Sequence, residues 1–324
     1  MNTQRMAVLL LFCSMLCGAD SGSARADSYP AKPIRLVVPY PAGGGADFMA
    51  RLVAPMLSER LGQQVFVDNR GGAGGTIGTA IVAKAPPDGY TVLLAASNLA
   101  WSVSLFENLN YDALKDFAAV TLLAKTPSIL AVNPALPVKS VNDLIELARA
   151  KPGKINYAGG VGTSMQTDTE LLKSMAGIDL AQIPYRGTAP AVFATLSGEA
   201  SVIMAPTMPV LPHVKDGTLR ALAISSDQRI SSLPDLPTIS ESGVPGFDTY
   251  QWYGVFVSSR ASRDIVVRLN RELVEIMRAT EVTTRLAGEA LIPVGDTPEE
   301  FTKFFGDQIA KWAKVLKPIG PPAD

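Results

Sequence analysis

The groups with most chemical promise in this chain are backbone amides rather than side chains. They lie in Pro39-Tyr40-Pro41-Ala42-Gly43-Gly44-Gly45-Ala46-Asp47, between the apolar run Ile34–Val38 and a helix-like run over 48–61. A strand that empties into three glycines and then a helix leaves several N–H groups pointing out of a helix N-terminus, where the helix dipole also favours an anion. Such a turn is a carboxylate cradle that needs no cation. Glycine suits it because there is no Cβ to block a ligand lying close to the backbone. An ordinary strand-to-helix turn is the alternative reading of the same residues.

Side-chain chemistry is poorly provided for. The single histidine, His213, has no cysteine or second histidine beside it for a metal site, and a Ser-His-Asp triad would have to run through it. No serine sits in a G-x-S-x-G elbow. In Gly72-Ala73-Gly74-Gly75-Thr76-Ile77-Gly78, Ile77 stands where the third glycine of a dinucleotide fingerprint belongs, and no Walker-type G-K-[ST] occurs. The expectation is a protein that is not an enzyme and carries no metal and no cofactor.

Strand-like runs alternate with helix-like ones, the pattern of α/β layers. The run Ile34–Val38 feeds the helix ending near 61; 64–68 feeds Asn69 to Gly75 and a helix reaching 84; 91–95 feeds Ser97-Asn98. A second series repeats the arrangement, with a strand at 128–132, a helix at 140–150 and a strand at 155–158 leading to Gly159-Gly160-Val161-Gly162-Thr163-Ser164. The strand 181–184 then meets Tyr185-Arg186-Gly187-Thr188-Ala189-Pro190, and 200–204 is the next buried strand. The C-terminal part supplies strands at 252–257 and 291–294 and helices at 262–278 and 297–317, the last opened by Thr297, Pro298 and Glu300 in a capping-box pattern. Ligands in open α/β sheets bind beyond the carboxyl ends of the strands, where each of these turns falls. Two α/β lobes facing one cleft, able to close on a ligand across a hinge, are the simplest arrangement.

The N-terminus points to export. Arg5, an apolar run over 6–17 and small residues ending in Ala24-Arg25-Ala26 form the three parts of a secretory signal, cleaved after Ala26, with a run too short for a good membrane span. Removing 1–26 removes both cysteines, so the mature chain has no disulfide. It also takes Arg5, Arg25 and Asp20 from the 29 basic and 30 acidic residues, leaving a net charge of about −2. That balance offers no electrostatic footprint for nucleic acid and no polybasic segment for anionic lipid.

The chain resembles the Bug (Bordetella uptake gene) periplasmic solute-binding proteins of the tripartite tricarboxylate transporter systems. The likeness runs through YPAKPIRLVVPYPAGGGAD, VFVDNRGGAGGTIG, PPDGYTVLL, INYAGGVGTS, IPYRGTAP, LPHVKDGTLRALAIS and TISESGVPGFDTYQWYGVF, and their order makes it specific. The resemblance implies a type II-like Venus-flytrap fold, with lobe 1 formed by 27–124 and 249–324, lobe 2 by 125–248, and a two-crossing hinge. It also implies a carboxylate ligand and delivery to a membrane permease, with a sensor for a two-component kinase as the alternative on the same fold. Carried over by residue, it places the ligand among Tyr40, Ala42, Gly43, Gly44, Gly45, Ala46 and Asp47, with Asp47 bracing the loop or capping the helix rather than touching an anion. Ser97 and Asn98 are ligand donors or plain turn residues. Gly160, Gly162, Thr163 and Ser164 come from the second lobe with Tyr185, Arg186, Gly187 and Thr188; Arg186 either clamps a distal carboxylate or is a solvated charge. Thr207 stands where many relatives carry Asp, which argues against an amino-acid ligand, and Trp252 and Tyr253 either wall the cleft or pack in the core. The expected partner is a dicarboxylate or an aromatic carboxylate, bound by a monomer in the periplasm without membrane insertion.

Overall fold

The computed structural model of the chain describes residues 29–316, apart from 107, 161, 186, 231 and 232. The expected signal segment 1–26 and Arg186 therefore lie outside the described residues. The chain begins with β1 (Ile34–Val38), α1 (Gly45–Leu61) and β2 (Val65–Asn69), then a 3₁₀ turn (Ala73–Gly75) running into α2 (Thr76–Ala83). It continues through β3 (Thr91–Ala96), α3 (Asn98–Leu105), β4 (Phe117–Thr126), β5 (Ser128–Val132) and α4 (Val141–Ala150). Next come β6 (Asn156–Gly159), α5 (Ser164–Ala176), β7 (Ala181–Pro184), α6 (Thr188–Ser197), β8 (Val202–Pro206), α7 (Thr207–Lys215) and β9 (Arg220–Ile224). The last elements are β10 (Gln251–Ser258), α8 (Arg263–Arg278), α9 (Thr280–Gly288), β11 (Ile292–Pro293) and α10 (Pro298–Leu316).

These elements build two mixed sheets. The first has the order β11-β4-β10-β3-β1-β2, and the second β7-β6-β8-β5-β9. β1 lies parallel to β2 and β3, whereas β10 runs antiparallel to both β3 and β4. In the second sheet β6 is parallel to β7 and β8, and β5 is antiparallel to β8 and β9. Helices flank each sheet, so strands such as β1 and β5 are buried almost throughout and read as continuous apolar runs. β4 and β9 are strands that sequence patterning did not single out.

Local chemistry sets the helix ends. α8 is capped by Ser262, whose hydroxyl oxygen accepts the Ile265 amide, and it buries Val266, Leu269, Leu273 and Ile276 along one stripe. α10 opens on the expected capping box: the Glu300 amide donates to Thr297 Oγ1 at 3.2 Å, and the Thr297 amide donates to the Glu300 carboxylate at 2.9 Å. α1 ends at Gly62, whose left-handed φ of 66° turns the chain towards β2.

Trp252 on β10 is fully buried against α10, with ring centroids 5.9 Å from Phe301, 6.0 Å from Phe304 and 5.9 Å from Phe305. Successive strand residues face opposite sides of a sheet, so its neighbour Tyr253 faces the other way, towards α1.

The chain passes between the sheets twice, at Pro127 between β4 and β5 and at Thr249-Tyr250 ahead of β10. Ser225, buried at the end of β9, ties the two crossings together. Its amide donates to Ser128 O (2.9 Å) and its hydroxyl oxygen accepts the Ser128 amide (2.8 Å). The same hydroxyl donates to Thr249 O (2.7 Å), and Ser225 O accepts the Thr249 amide (2.9 Å).

Replacing the buried indole, Trp252→Ala, is expected to lower unfolding free energy by about 3–5 kcal/mol, with Trp252→Phe losing clearly less. Urea unfolding followed by circular dichroism measures both; an alanine variant as stable as wild type would show that the aromatic cluster does not hold α10 to the sheet.

Candidate functional site

A cavity of about 400 Å³ lies between the two sheets, within the range of small-molecule sites. Five of the described helices start at it: α1, α3, α5, α6 and α7. None of the five has a side-chain cap at its N-cap residue, which is Gly44, Ser97, Thr163, Gly187 and Pro206 respectively. By contrast α4, α8 and α10, which start elsewhere, are capped by the hydroxyl oxygens of Ser140, Ser262 and Thr297. α2 and α9 also lack caps, but α2 continues directly from the 3₁₀ turn and α9 follows α8 after Ala279. At the cavity, unpaired amides and the positive ends of helix dipoles are left for something that is not this chain.

The first cradle is shaped by the sequence around its glycines. Gly43 adopts φ +88°, and its amide donates to Asp47 Oδ2 at 2.9 Å; Arg51 Nε donates to the same oxygen at 2.9 Å. Burial raises the Asp47 pKa, but the Arg51 and Gly43 donors outweigh it and hold the carboxyl below its ordinary range. Asp47 is thus a brace behind the loop. Gly44 has extended dihedrals and an open space where a Cβ would stand, with Pro41 O the nearest atom at 3.9 Å. Gly45 is tighter: a Cβ there would overlap the Tyr253 hydroxyl. That hydroxyl has no hydrogen-bond partner among the described residues, and the ring lines the cavity.

Of the residues expected from sequence, the structure brings Tyr40, Gly43, Gly44, Gly45, Ala46 and Asn98 to the cavity from one side, and Gly162, Thr163, Ser164 and Thr188 from the other. Several of these are already engaged. Tyr40 donates its hydroxyl to Asn98 Oδ1, while Asn98 Nδ2 donates to Gly74 O at 2.5 Å, so the pair clamps two glycine loops. Thr163 Oγ1 donates to Gly160 O at 2.7 Å. The hydroxyls of Ser164 and Thr188 have no side-chain partner among the described residues.

Other expected residues do not line the cavity. Ala42 is exposed on the outside of the loop. Gly160 and Gly187 form the turns ahead of α5 and α6, Gly160 accepting the Thr163 amide and Gly187 adopting φ +105°. Tyr185 packs against the core of the second sheet. The Ser97 hydroxyl accepts the Trp252 amide at 2.7 Å and stitches β3 to β10. Thr207 is fully buried and donates through both its amide and its hydroxyl to Pro127 O, at 3.1 and 2.7 Å. Its side chain faces the crossing, so the residue type there carries no information about a ligand amino group. Trp252 belongs to the aromatic core described above.

Sequence reasoning missed Trp101, Gln251 and Leu291, and in the Pro206-Thr207-Met208-Pro209 turn it named only Thr207, whereas the other three residues line the cavity; Tyr253, one of the two aromatics considered as a cleft wall, does line it. Trp101 Nε1 donates to Gly162 O at 3.2 Å, a hydrogen bond from α3 beside the first sheet to the loop of the second. The strand-to-turn position of 206–209 was a signal that could have found that turn. Leu291 lies 244 residues beyond Asp47 of the first cradle and had none. Among the described lining residues the tyrosines alone carry a titratable group, and burial raises those of Tyr40 and Tyr253 above their ordinary value of 10, so none of them is charged at neutral pH. His213 sits at the far end of α7, 3.4 Å from Thr218 Oγ1, and no cluster of potential metal ligands occurs among the described residues.

Comparison with known proteins gives a consistent result. The profile of the TctC family, described as tripartite tricarboxylate transporter family receptor, matches residues 49–320. Protein BugT of Bordetella pertussis (strain Tohama I) is 37% identical over 321 residues, covering 98% of each chain. Among solved structures, R. palustris Rpa4515 with adipate superposes with a TM-score of 0.81 at 34% identity, covering 89% of this chain and 97% of that one. MatC (Rpa3494) from Rhodopseudomonas palustris with bound malate gives 0.79 at 29% identity, covering 89% and 100%.

One acidic group near the crossings is set apart by its surroundings. Asp168 on α5 is 1% exposed and accepts the Ser128 hydroxyl at 2.7 Å. Burial pushes its carboxyl up to about 7 against an ordinary 3.8, opposed by the Ser128 hydroxyl and Lys311 and aided by Asp248. Between those values the folded chain holds a proton that the unfolded chain releases, so this group's contribution to stability declines as pH rises from about 4 to about 7. Asp168→Asn removes that decline. The melting temperature of the variant relative to wild type is expected to climb steadily from about pH 5 to about pH 8, and a difference that stays flat over that range would contradict the assignment.

Proposed function

The chain belongs to the tripartite tricarboxylate transporter receptor family, and on that premise we propose that it captures a small organic carboxylate by closing two lobes on it. Receptors of this family are periplasmic solute-binding proteins that work with transporter permeases, and they are binding proteins rather than enzymes. The observation that carries the proposal is the convergence of uncapped helix starts on one cavity that contains no ionised side chain among its described lining residues. Gly44, Gly45 and Ala46 line the cavity from the α1 start and Thr163 and Ser164 from the α5 start, together with Thr188 and Tyr253. Hydrogen bonds to a charged acceptor contribute about 1.5–3 kcal/mol each. Three or four of them, less the cost of association, suffice for micromolar binding.

Several finer features belong to the same reading. Lobe 1 comprises 27–124 and 249–324 and lobe 2 comprises 125–248, a division supported by the chain passing between sheets at Pro127 and at Thr249-Tyr250. Residues 1–26 are a cleavable export signal, supported by their apolar run and the Ala24-Arg25-Ala26 ending. No described helix is long and apolar enough to cross a membrane, in keeping with a receptor that meets its permease from outside the bilayer. Closure of a monomer on its ligand is what the permease reads. The two ligand classes suggested by the sequence are a dicarboxylate and an aromatic carboxylate.

Gly44→Val tests the site. The backbone at Gly44 accepts a branched residue and the added Cβ enters the cavity, so the unliganded variant should melt within a few degrees of wild type. Its affinity for a carboxylate that binds wild type should fall at least about tenfold by calorimetry. Small-angle scattering should show compaction of wild type at saturating ligand and none for the variant. Equal affinity in the folded variant would remove the cradle from the site.

A further inference from the structure

The cavity is chemically lopsided along its length. The second sheet runs β7-β6-β8-β5-β9, so α6, α5 and α7 start side by side at the ends of its parallel strands, with α7 next to the crossing at Pro127. α1 carries an amide at each of its first three positions, Gly45-Ala46-Asp47, and α5 at its first two, Ser164 and Met165, the Gln166 amide being donated to Thr163 O at 3.1 Å. α7 does not. Its N-cap is Pro206 and its third residue is Pro209, neither with an N–H, and the Thr207 amide is donated to Pro127 O. Only Met208 keeps an amide to offer. A helix start that elsewhere in the cavity favours an anion is here stripped of its donors.

The surroundings of that start agree. Pro206, Met208 and Pro209 face Leu291, and the nearby Thr126 hydroxyl is directed at Ala290 O at 3.0 Å. Gln251, two residues from Tyr253 on the same face of β10 and paired with Thr126 across the ladder, supplies the one side chain at this end with a neutral hydrogen-bonding group and no partner among the described residues. A carboxylate placed here would lose its water without gaining charge-assisted donors. An apolar ring or chain would lose nothing.

Resting on the carboxylate-capture reading above, we infer that the ligand is a single-headed acid: one carboxylate between the α1 and α5 starts, and an uncharged, apolar body against Pro206, Met208, Pro209 and Leu291. Of the two classes the sequence allows, this keeps the aromatic carboxylate, as a monoacid, over the dicarboxylate, and it adds the aliphatic monoacid. Gln251 meets at most one neutral polar substituent on that body.

The test is calorimetry on the purified protein at neutral pH with a matched series of straight-chain and aromatic acids, each monoacid beside its diacid counterpart, such as hexanoate with adipate and benzoate with terephthalate. The monoacid of the best-binding pair is expected to be at least about tenfold tighter than its diacid. Placing a cation at the far end, Met208→Lys, should shift the ratio towards the diacid by at least about tenfold. Gln251→Lys, from the opposite side of the cavity, gives the same readout if the first variant does not show a cooperative melt. A diacid that binds wild type as tightly as its monoacid, or a folded lysine variant with an unchanged ratio, overturns the inference while leaving carboxylate capture standing. Failure of every acid to bind overturns both.

Discussion

An amide that faces a cavity needs an acceptor, and this chain withholds one at the helix starts around its cleft. At α4, α8 and α10 serine and threonine cap the helices with their own oxygens, but at α1, α5 and α6 the N-cap residues leave that work undone. Much else follows from keeping those donors open. Glycines at 43–45 remove Cβ atoms from the approach, Asp47 holds the loop from behind, and Tyr253 packs so close to Gly45 that no other residue fits there. On the proposed reading neutral dipoles do the binding, so the cavity needs no ionised lining and helix geometry supplies its preference for an anion.

Hydrogen-bond satisfaction sorts the polar side chains into scaffold and ligand-facing groups. Ser97, Asn98, Thr163 and Thr207 look like donors in the sequence, yet each spends its polar atoms on the protein: two loops clamped together, two strands stitched, a helix start pinned to a crossing. Ser164, Thr188, Tyr253 and Gln251 are left over. Buried polar groups are nearly always paired, so the unpaired ones at a cavity identify its working surface better than residue type does.

The sequence made the first cradle legible because it is local: an apolar strand, three glycines and an apolar helix within thirty residues leave one physical arrangement. The same was true of the α5 start and the capping box at Thr297. What was lost depended on partners far along the chain. Trp252 and Tyr253 sit on a strand buried on both faces, where no alternation of polar and apolar residues marks which side chain turns towards the cleft. The fate of Ser97 was decided by an amide 155 residues away. β4 was overlooked although it carries the chain up to Pro127, because its ten residues mix Thr, Ala and Lys with the aliphatic run.

Ser225 is not among the described residues lining the cavity, yet its four hydrogen bonds fasten both connecting segments to a common point. Two ropes knotted together at mid-span cannot slide past one another. Sliding of one connecting segment past the other would break these hydrogen bonds, whereas the lobe closure proposed above, as a swing about the knot, would keep them. The mouth's opening is then a matter of leverage: small torsional changes at the knot become large displacements at the rims, all along a single arc. A receptor with one such arc presents its membrane partner with a graded angle to read instead of a collection of shapes.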